Sequence, residues 1–77
     1  MKYRVDTVAL KKIMVEKGFE TIVSLEKASG VHRMTISGII NGEVRPSTKV
    51  IEKLMVALNI SPELAGPVFF APDLRIA

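Results

Sequence analysis

Helix start and stop signals recur along this chain at short, regular intervals, and they constrain its fold more than any other feature. Ser, Thr, Asp and His can cap the N-terminus of a helix, whereas Gly and Asn tolerate the left-handed conformation at its end. The start signals are Asp6, Thr21, His32, Ser47 and Ser61, and the stop signals are Gly18, Gly30, Asn41-Gly42, Asn59 and Gly66-Pro67. This spacing predicts five short helices between residues 7 and 65.

Apolar residues inside these segments recur at three- and four-residue spacing, which is the period of an amphipathic helix. The clearest stripes are Ile36, Ile39 and Ile40 in the third segment and Ile51, Leu54, Met55 and Leu58 in the fourth. With 48% apolar residues in a length of 77, the chain has enough material for one core. We expect a single domain over residues 1–77, with a helical core at about 7–65 and a C-terminal extension at 66–77.

The two ends of the chain carry a different pattern. Lys2-Tyr3-Arg4-Val5 alternates polar and β-prone residues, and Val68-Phe69-Phe70 is a short β-prone run. Pro67 and Pro72 argue against a long helix at the C-terminal end. The two ends can therefore pair as a small antiparallel sheet, within one chain or between two. Val68-Phe69-Phe70 has two interpretations: it covers the helical core of its own chain, or it forms a dimer contact.

Composition excludes several classes of function. The absence of cysteine removes disulfides, thiolate metal sites and thiol catalysis. His32 is the only histidine, the glycines are isolated and the carboxylates are scattered, so no catalytic or phosphate-binding motif is formed. We expect no enzyme, no catalytic residue, no metal, no cofactor and no small-molecule ligand. The apolar runs are too short for a membrane span or a signal peptide, so the expected location is the cytoplasm, with no membrane contact.

The segment at residues 21–46 is the most informative one. The net charge is +3, and the basic excess lies in residues 1–50, which permits binding to a polyanion. A short helix, a tight turn at Gly30 and a second short helix follow the helix-turn-helix plan, in which the turn needs a residue at positive φ. Val31 and Ile36 are expected to hold the second helix against the first and to leave its opposite face free.

A set of positions between residues 25 and 61 carries a resemblance to a known family. The positions are Leu25, Gly30-Val31, Arg33, Thr35-Ile36-Ser37, Ile39, Asn41-Gly42, Pro46-Ser47 and Ala57-Leu58-Asn59-Ile60-Ser61. They resemble the Cro and lambda-repressor type of helix-turn-helix proteins, also called the XRE family. The resemblance implies an all-α, five-helix lambda-repressor-like bundle, in which residues 32–41 form the recognition helix.

The same resemblance implies a sequence-specific, double-stranded DNA-binding transcriptional regulator, a repressor that acts as a homodimer. The residues expected to face base edges in the major groove are His32, Arg33, Met34, Ser37 and Gly38. The residues expected to contact backbone phosphates are Thr21, Thr35, Asn41, Arg45 and Lys49. Arg33 is the strongest candidate, because a guanidinium can bond two acceptors of one guanine. Gly38 is expected to let the backbone approach DNA closely.

Three departures from the family pattern leave a second hypothesis open. Glu26 stands where the family has a small Ala, and Ile22 replaces a Gln that touches phosphate. Met14 and Ile40 replace a buried Arg–Glu pair, a double change that is often neutral for stability. The expected DNA-binding face is less suited to DNA, and more apolar, because of Glu26, Ile22 and Gly38. The alternative is therefore a protein-interaction module of the same fold, such as an antitoxin-like accessory subunit.

Overall fold

A computed structural model describes residues 3–72 of the chain, and five helices occupy most of this part. The helices are α1 (Thr7–Glu16), α2 (Ile22–Ser29), α3 (Arg33–Ile40), α4 (Thr48–Leu58) and α5 (Pro62–Phe69). A short antiparallel ladder joins β1 (Tyr3–Arg4) to β2 (Ala71–Pro72) at the two ends. The predicted all-α bundle of five helices is confirmed.

All five helices begin where their capping residues predict, and α1 to α4 also end where the stop signals predict. Asp6 precedes α1 and accepts a hydrogen bond from the Ala9 N–H at 3.1 Å, and Ser47 does the same for α4. Each such bond satisfies a backbone donor that has no partner inside the helix. The residues that end α2 and α4, Gly30 and Asn59, both adopt the left-handed conformation. Local chemistry therefore sets these boundaries.

One buried cluster draws on all five helices. The largest fully buried side chains are Leu10, Leu25, Ile36, Ile39, Leu54 and Leu58. Met14 and Ile40, which stand where the resemblance implies a buried ion pair, are both buried in this cluster. The paired replacement thus places two apolar side chains in the core, where no charge has to be desolvated.

The fifth helix is longer than the sequence predicts. Its expected end was Gly66-Pro67, but α5 continues through Pro67 to Phe69. Proline removes one backbone hydrogen bond and costs roughly 3 kcal/mol inside a helix. Val68 and Phe69 are each only 3% exposed, and burying side chains of this kind contributes about 1.5–3 kcal/mol apiece. Burial of Val68 and Phe69 in the core therefore offsets the free-energy cost of Pro67 inside the helix.

The predicted pairing of the two ends occurs within one chain, but with a different C-terminal segment. Arg4 pairs with Ala71 and Tyr3 with Pro72, so Val68-Phe69-Phe70 is not the strand. Val68 and Phe69 cover the helical core, as one of the two interpretations predicts, whereas Phe70 is 53% exposed. Met1, Lys2 and residues 73–77 of the predicted extension lie outside the described residues.

Candidate nucleic-acid interface

The turn between α2 and α3 is held by a glycine, a serine and two buried side chains. Gly30 has φ +76°, the positive value that the short turn requires. The Ser29 hydroxyl donates to the Leu25 carbonyl at 2.7 Å and accepts from the Val31 N–H at 3.1 Å. Val31 and Ile36 are 5% and 2% exposed, so the predicted apolar contacts of the turn are confirmed as buried. These hydrogen bonds and buried side chains therefore fix the orientation of α3 relative to α2.

Glu26 has a role that the sequence did not reveal. Its Oε2 accepts a hydrogen bond from the Arg33 N–H at 2.9 Å, across the turn from α2 to α3. This N–H is one of the first donors of α3, which have no partner inside the helix, and a carboxylate there also complements the helix dipole. A capping box joins residues three apart, whereas Glu26 and Arg33 are seven apart, so the usual signal is missing. Glu26 caps α3 from the preceding helix.

His32 is the N-cap residue of α3, and its ring orientation follows from one hydrogen bond. Its Nδ1 accepts from the Met34 N–H at 3.1 Å. A neutral imidazole that accepts through Nδ1 must carry its proton on Nε2. The exposed ring of His32 therefore offers an N–H donor at the start of α3.

The first turn of α3 presents most of the predicted base-contacting side chains to solvent. His32 and Arg33 are exposed, and Met34 is 71% exposed. Ser37 is half-buried and lies one turn after Arg33, on the same side of the helix. This face combines a guanidinium, an imidazole N–H, a hydroxyl and a thioether, which is a set of hydrogen-bond donors beside one apolar group.

Gly38, which was predicted to face base edges, does not lie on that exposed face. It is buried, and a Cβ at this position would overlap the Val44 side chain. Its carbonyl accepts from the Glu43 N–H at 2.8 Å and the Val44 N–H at 3.1 Å. A glycine is required at this position because the loop after α3 packs closely against it. Nothing in the local pattern signals Val44, because the contact depends on how that loop folds back.

The predicted phosphate-contacting residues lie at the start of α2, on α3 and along the exit from α3 into α4. Thr21 is exposed and caps α2, since its Oγ1 accepts from the Ser24 N–H at 3.1 Å. Asn41 ends α3 and is exposed, as are Arg45 and Lys49, whereas Thr35 is half-buried. Their contacts with DNA stay predictions.

The three features that favoured a protein-interaction module each have an internal explanation. Glu26 caps α3, and Gly38 accommodates Val44. Ile22 is half-buried and packs against the core, so it adds little exposed apolar surface. The sequence-based argument for the alternative is therefore weaker than it appears from the residue types alone.

Two further features of residues 3–72 concern metal binding and membrane spanning. Within this range, no cluster of three or more His, Cys, Asp or Glu side chains is arranged to bind a metal ion. The helices in the same range are all too short or too polar to traverse a bilayer.

A comparison with protein families bears on the helix-turn-helix directly. The family model of the Cro/C1-type HTH DNA-binding domain matches residues 9–63, which is more than half of the chain. The match runs from α1 to the first turn of α5 and includes the whole of α2, α3 and α4. Comparisons with curated proteins and with solved structures gave no match. The resemblance seen in the sequence is confirmed, and the chain belongs to the family of Cro/C1-type helix-turn-helix DNA-binding domains.

Proposed function

We propose that this protein is a sequence-specific transcriptional regulator, a repressor, that binds double-stranded DNA with α3 in the major groove. The observation that carries the proposal is the exposed first turn of α3, whose side chains project from a helix fixed at both its start and its inner face. Glu26 and His32 bond its first N–H groups, and Ile36 anchors it in the core. A rigid platform of this kind supports base recognition, because the contacting groups need no further ordering.

Four side chains are proposed to face base edges. Arg33 bonds the O6 and N7 acceptors of one guanine, which is worth about 1–3 kcal/mol of discrimination. His32 donates from Nε2 to a base acceptor, and Ser37 donates or accepts according to the base. Met34 contacts a thymine methyl group. Gly38, which is covered by Val44, is not part of this set.

The phosphate contacts are proposed to position α3 without carrying sequence information. Their residues are Thr21, Thr35, Asn41, Arg45 and Lys49. The start of α2 offers backbone N–H groups that favour an anion, and the Thr21 hydroxyl keeps its proton for donation while its oxygen caps the helix. Arg45 and Lys49 supply the positive charge on the exit side of α3.

A homodimer is proposed because one eight-residue recognition helix reads few base pairs. Two copies would read a pseudo-palindromic site whose half-sites are roughly one helical turn apart. Exposed apolar side chains outside the helix-turn-helix support the proposal, in particular Val56 on α4 and Leu64 on α5. Sedimentation with and without the selected duplex tests it, and a monomer under both conditions would contradict it.

The test of the function begins with a selection of binding sites from random duplexes. Arg33→Ala is expected to relax the preference at one base position. Arg45→Ala is expected to weaken binding to all sequences alike and to reduce the salt slope of log K by about 0.9 for each protomer bound. Lys12→Ala, at an exposed position on α1, is the control of equal charge. If no duplex is enriched and neither arginine variant changes binding, the proposal is wrong.

A protein-interaction module of the same fold predicts a different result. Such a module shows no salt-dependent binding to random duplex DNA, whereas a regulator shows it before any operator is known. Titration of random duplex at two salt concentrations therefore separates the two functions.

A further inference from the structure

A polar cleft lies between the N-terminal strand and the loop that leaves α3. It has a volume of about 370 Å³, and its lining includes Arg4 from β1 and Asn41, Glu43 and Arg45 from the loop. Two arginines that are 41 positions apart in sequence thus share one cleft. Arg4 was not among the residues that the sequence pattern singled out.

The position of Arg4 is fixed by the fold. Its strand pairs with β2 through Ala71, and the following Asp6 N–H donates to the Val68 carbonyl. Successive side chains of a strand point to opposite faces. Because Val5 is buried, Arg4 points outward, and it is exposed. The strand ladder therefore holds a guanidinium on the outside of the bundle, beside the loop.

The cleft also adjoins the proposed DNA-binding face. Asn41 lines it, and Asn41 is the residue that ends α3. Asn41 and Arg45 both line the cleft and are both proposed to contact backbone phosphates, so the cleft lies where the DNA backbone is expected to pass.

We propose that this cleft binds one backbone phosphate of the DNA, held jointly by Arg4 and Arg45. The proposal rests on the proposed function and assigns to the strand ladder a part in DNA binding. Two guanidinium groups match a phosphodiester through charge and through paired N–H donors. Glu43 is the acidic residue of the lining and limits the affinity of the cleft for anions.

The test uses the selected duplex with single phosphates replaced by neutral methylphosphonates. Wild-type protein loses affinity severalfold when the phosphate at one position of each half-site, near the exit of α3, is replaced. Arg4→Ala and Arg45→Ala each weaken binding to the normal duplex and each abolish the sensitivity at that same position. Glu43→Gln strengthens binding severalfold and keeps the sensitivity. Lys12→Ala, whose charge lies on α1 away from the cleft lining, shifts affinity without erasing that position.

Thermal unfolding of each variant separates binding from folding, and Arg4 is exposed, so its removal should leave the melting temperature unchanged. If Arg4→Ala keeps the wild-type methylphosphonate profile while Arg45→Ala loses it, the shared phosphate is wrong and the proposed function stands. If no methylphosphonate substitution changes the affinity and neither arginine variant weakens binding, the proposed function is wrong as well. A third outcome is that inorganic phosphate shifts the Arg4 and Arg45 resonances, whereas neither substitution changes the affinity for DNA. In that case the cleft binds a free phosphate and the proposal is overturned.

Discussion

The two ends of α3 are built differently, although they belong to one eight-residue helix. At the N-terminal end His32, Arg33 and Met34 are exposed, and side chains from α2 and the N-cap bond the first N–H groups. At the C-terminal end Gly38 and Ile39 are buried, the loop after the helix packs on Gly38, and Ile39 belongs to the core. The difference shows that α3 exposes polar and apolar side chains to solvent at its start and is anchored in the protein at its end.

The largest expected effect comes from the anchored end. Ile39 is fully buried, so Ile39→Ala should lower the free energy of unfolding by about 2–5 kcal/mol. Met34→Ala is the matched control, since its side chain is 71% exposed and its truncation should change stability by less than about 0.5 kcal/mol. Urea denaturation measures both. Losses of similar size would contradict the division of α3 into an anchored end and an exposed end.

A second prediction concerns the contact between Gly38 and the loop. Gly38→Ala places a methyl group against Val44, and overpacking of this kind costs about 1–3 kcal/mol. In a Val44→Ala background the overlap with the Val44 Cγ2 is removed and only the contact with Cβ at 3.1 Å remains, so the same substitution should cost less there. The double-mutant cycle measures this difference. If Gly38→Ala stabilises both backgrounds equally, Val44 does not pack on Gly38.

The smallest effect on stability is expected at the exposed end. Glu26→Ala removes a helix cap and should cost about 0.5–2 kcal/mol. It should also speed hydrogen exchange of the Arg33 amide, whereas Glu26→Gln keeps an oxygen acceptor and should restore most of the protection. Glu52→Ala, at an exposed carboxylate on α4, is the control. Unchanged exchange at Arg33 in Glu26→Ala would mean that the carboxylate does not cap α3.

Local chemistry made most of the fold predictable. The helix starts at Asp6, Thr21 and Ser47 follow from side chains that bond the helix N–H groups three residues later. The end of α5 was not predictable in this way, because Val68 and Phe69 extend the helix by packing on a core built from distant residues. Boundaries set by caps can be read from the sequence, whereas boundaries set by burial require the tertiary structure.

The same distinction applies to the candidate site. Helical periodicity alone places Arg33 and Ser37 on one side of α3 and Ile39 on the other. The roles of Glu26 and Gly38 depend on contacts across a turn and with a returning loop, which no periodic pattern contains. For that reason both residues looked like defects of a DNA-binding face, although one caps α3 and the other lets the loop pack on it.

The central claim is that the exposed start of α3 reads double-stranded DNA. The most direct test is a titration of isotope-labelled protein with the selected duplex, followed by amide chemical shifts at physiological salt. The largest shifts are expected at residues 32–37 and 41–45, with small shifts around Lys12 on α1. Shifts concentrated on α4 and α5, with residues 32–37 unchanged, would contradict it.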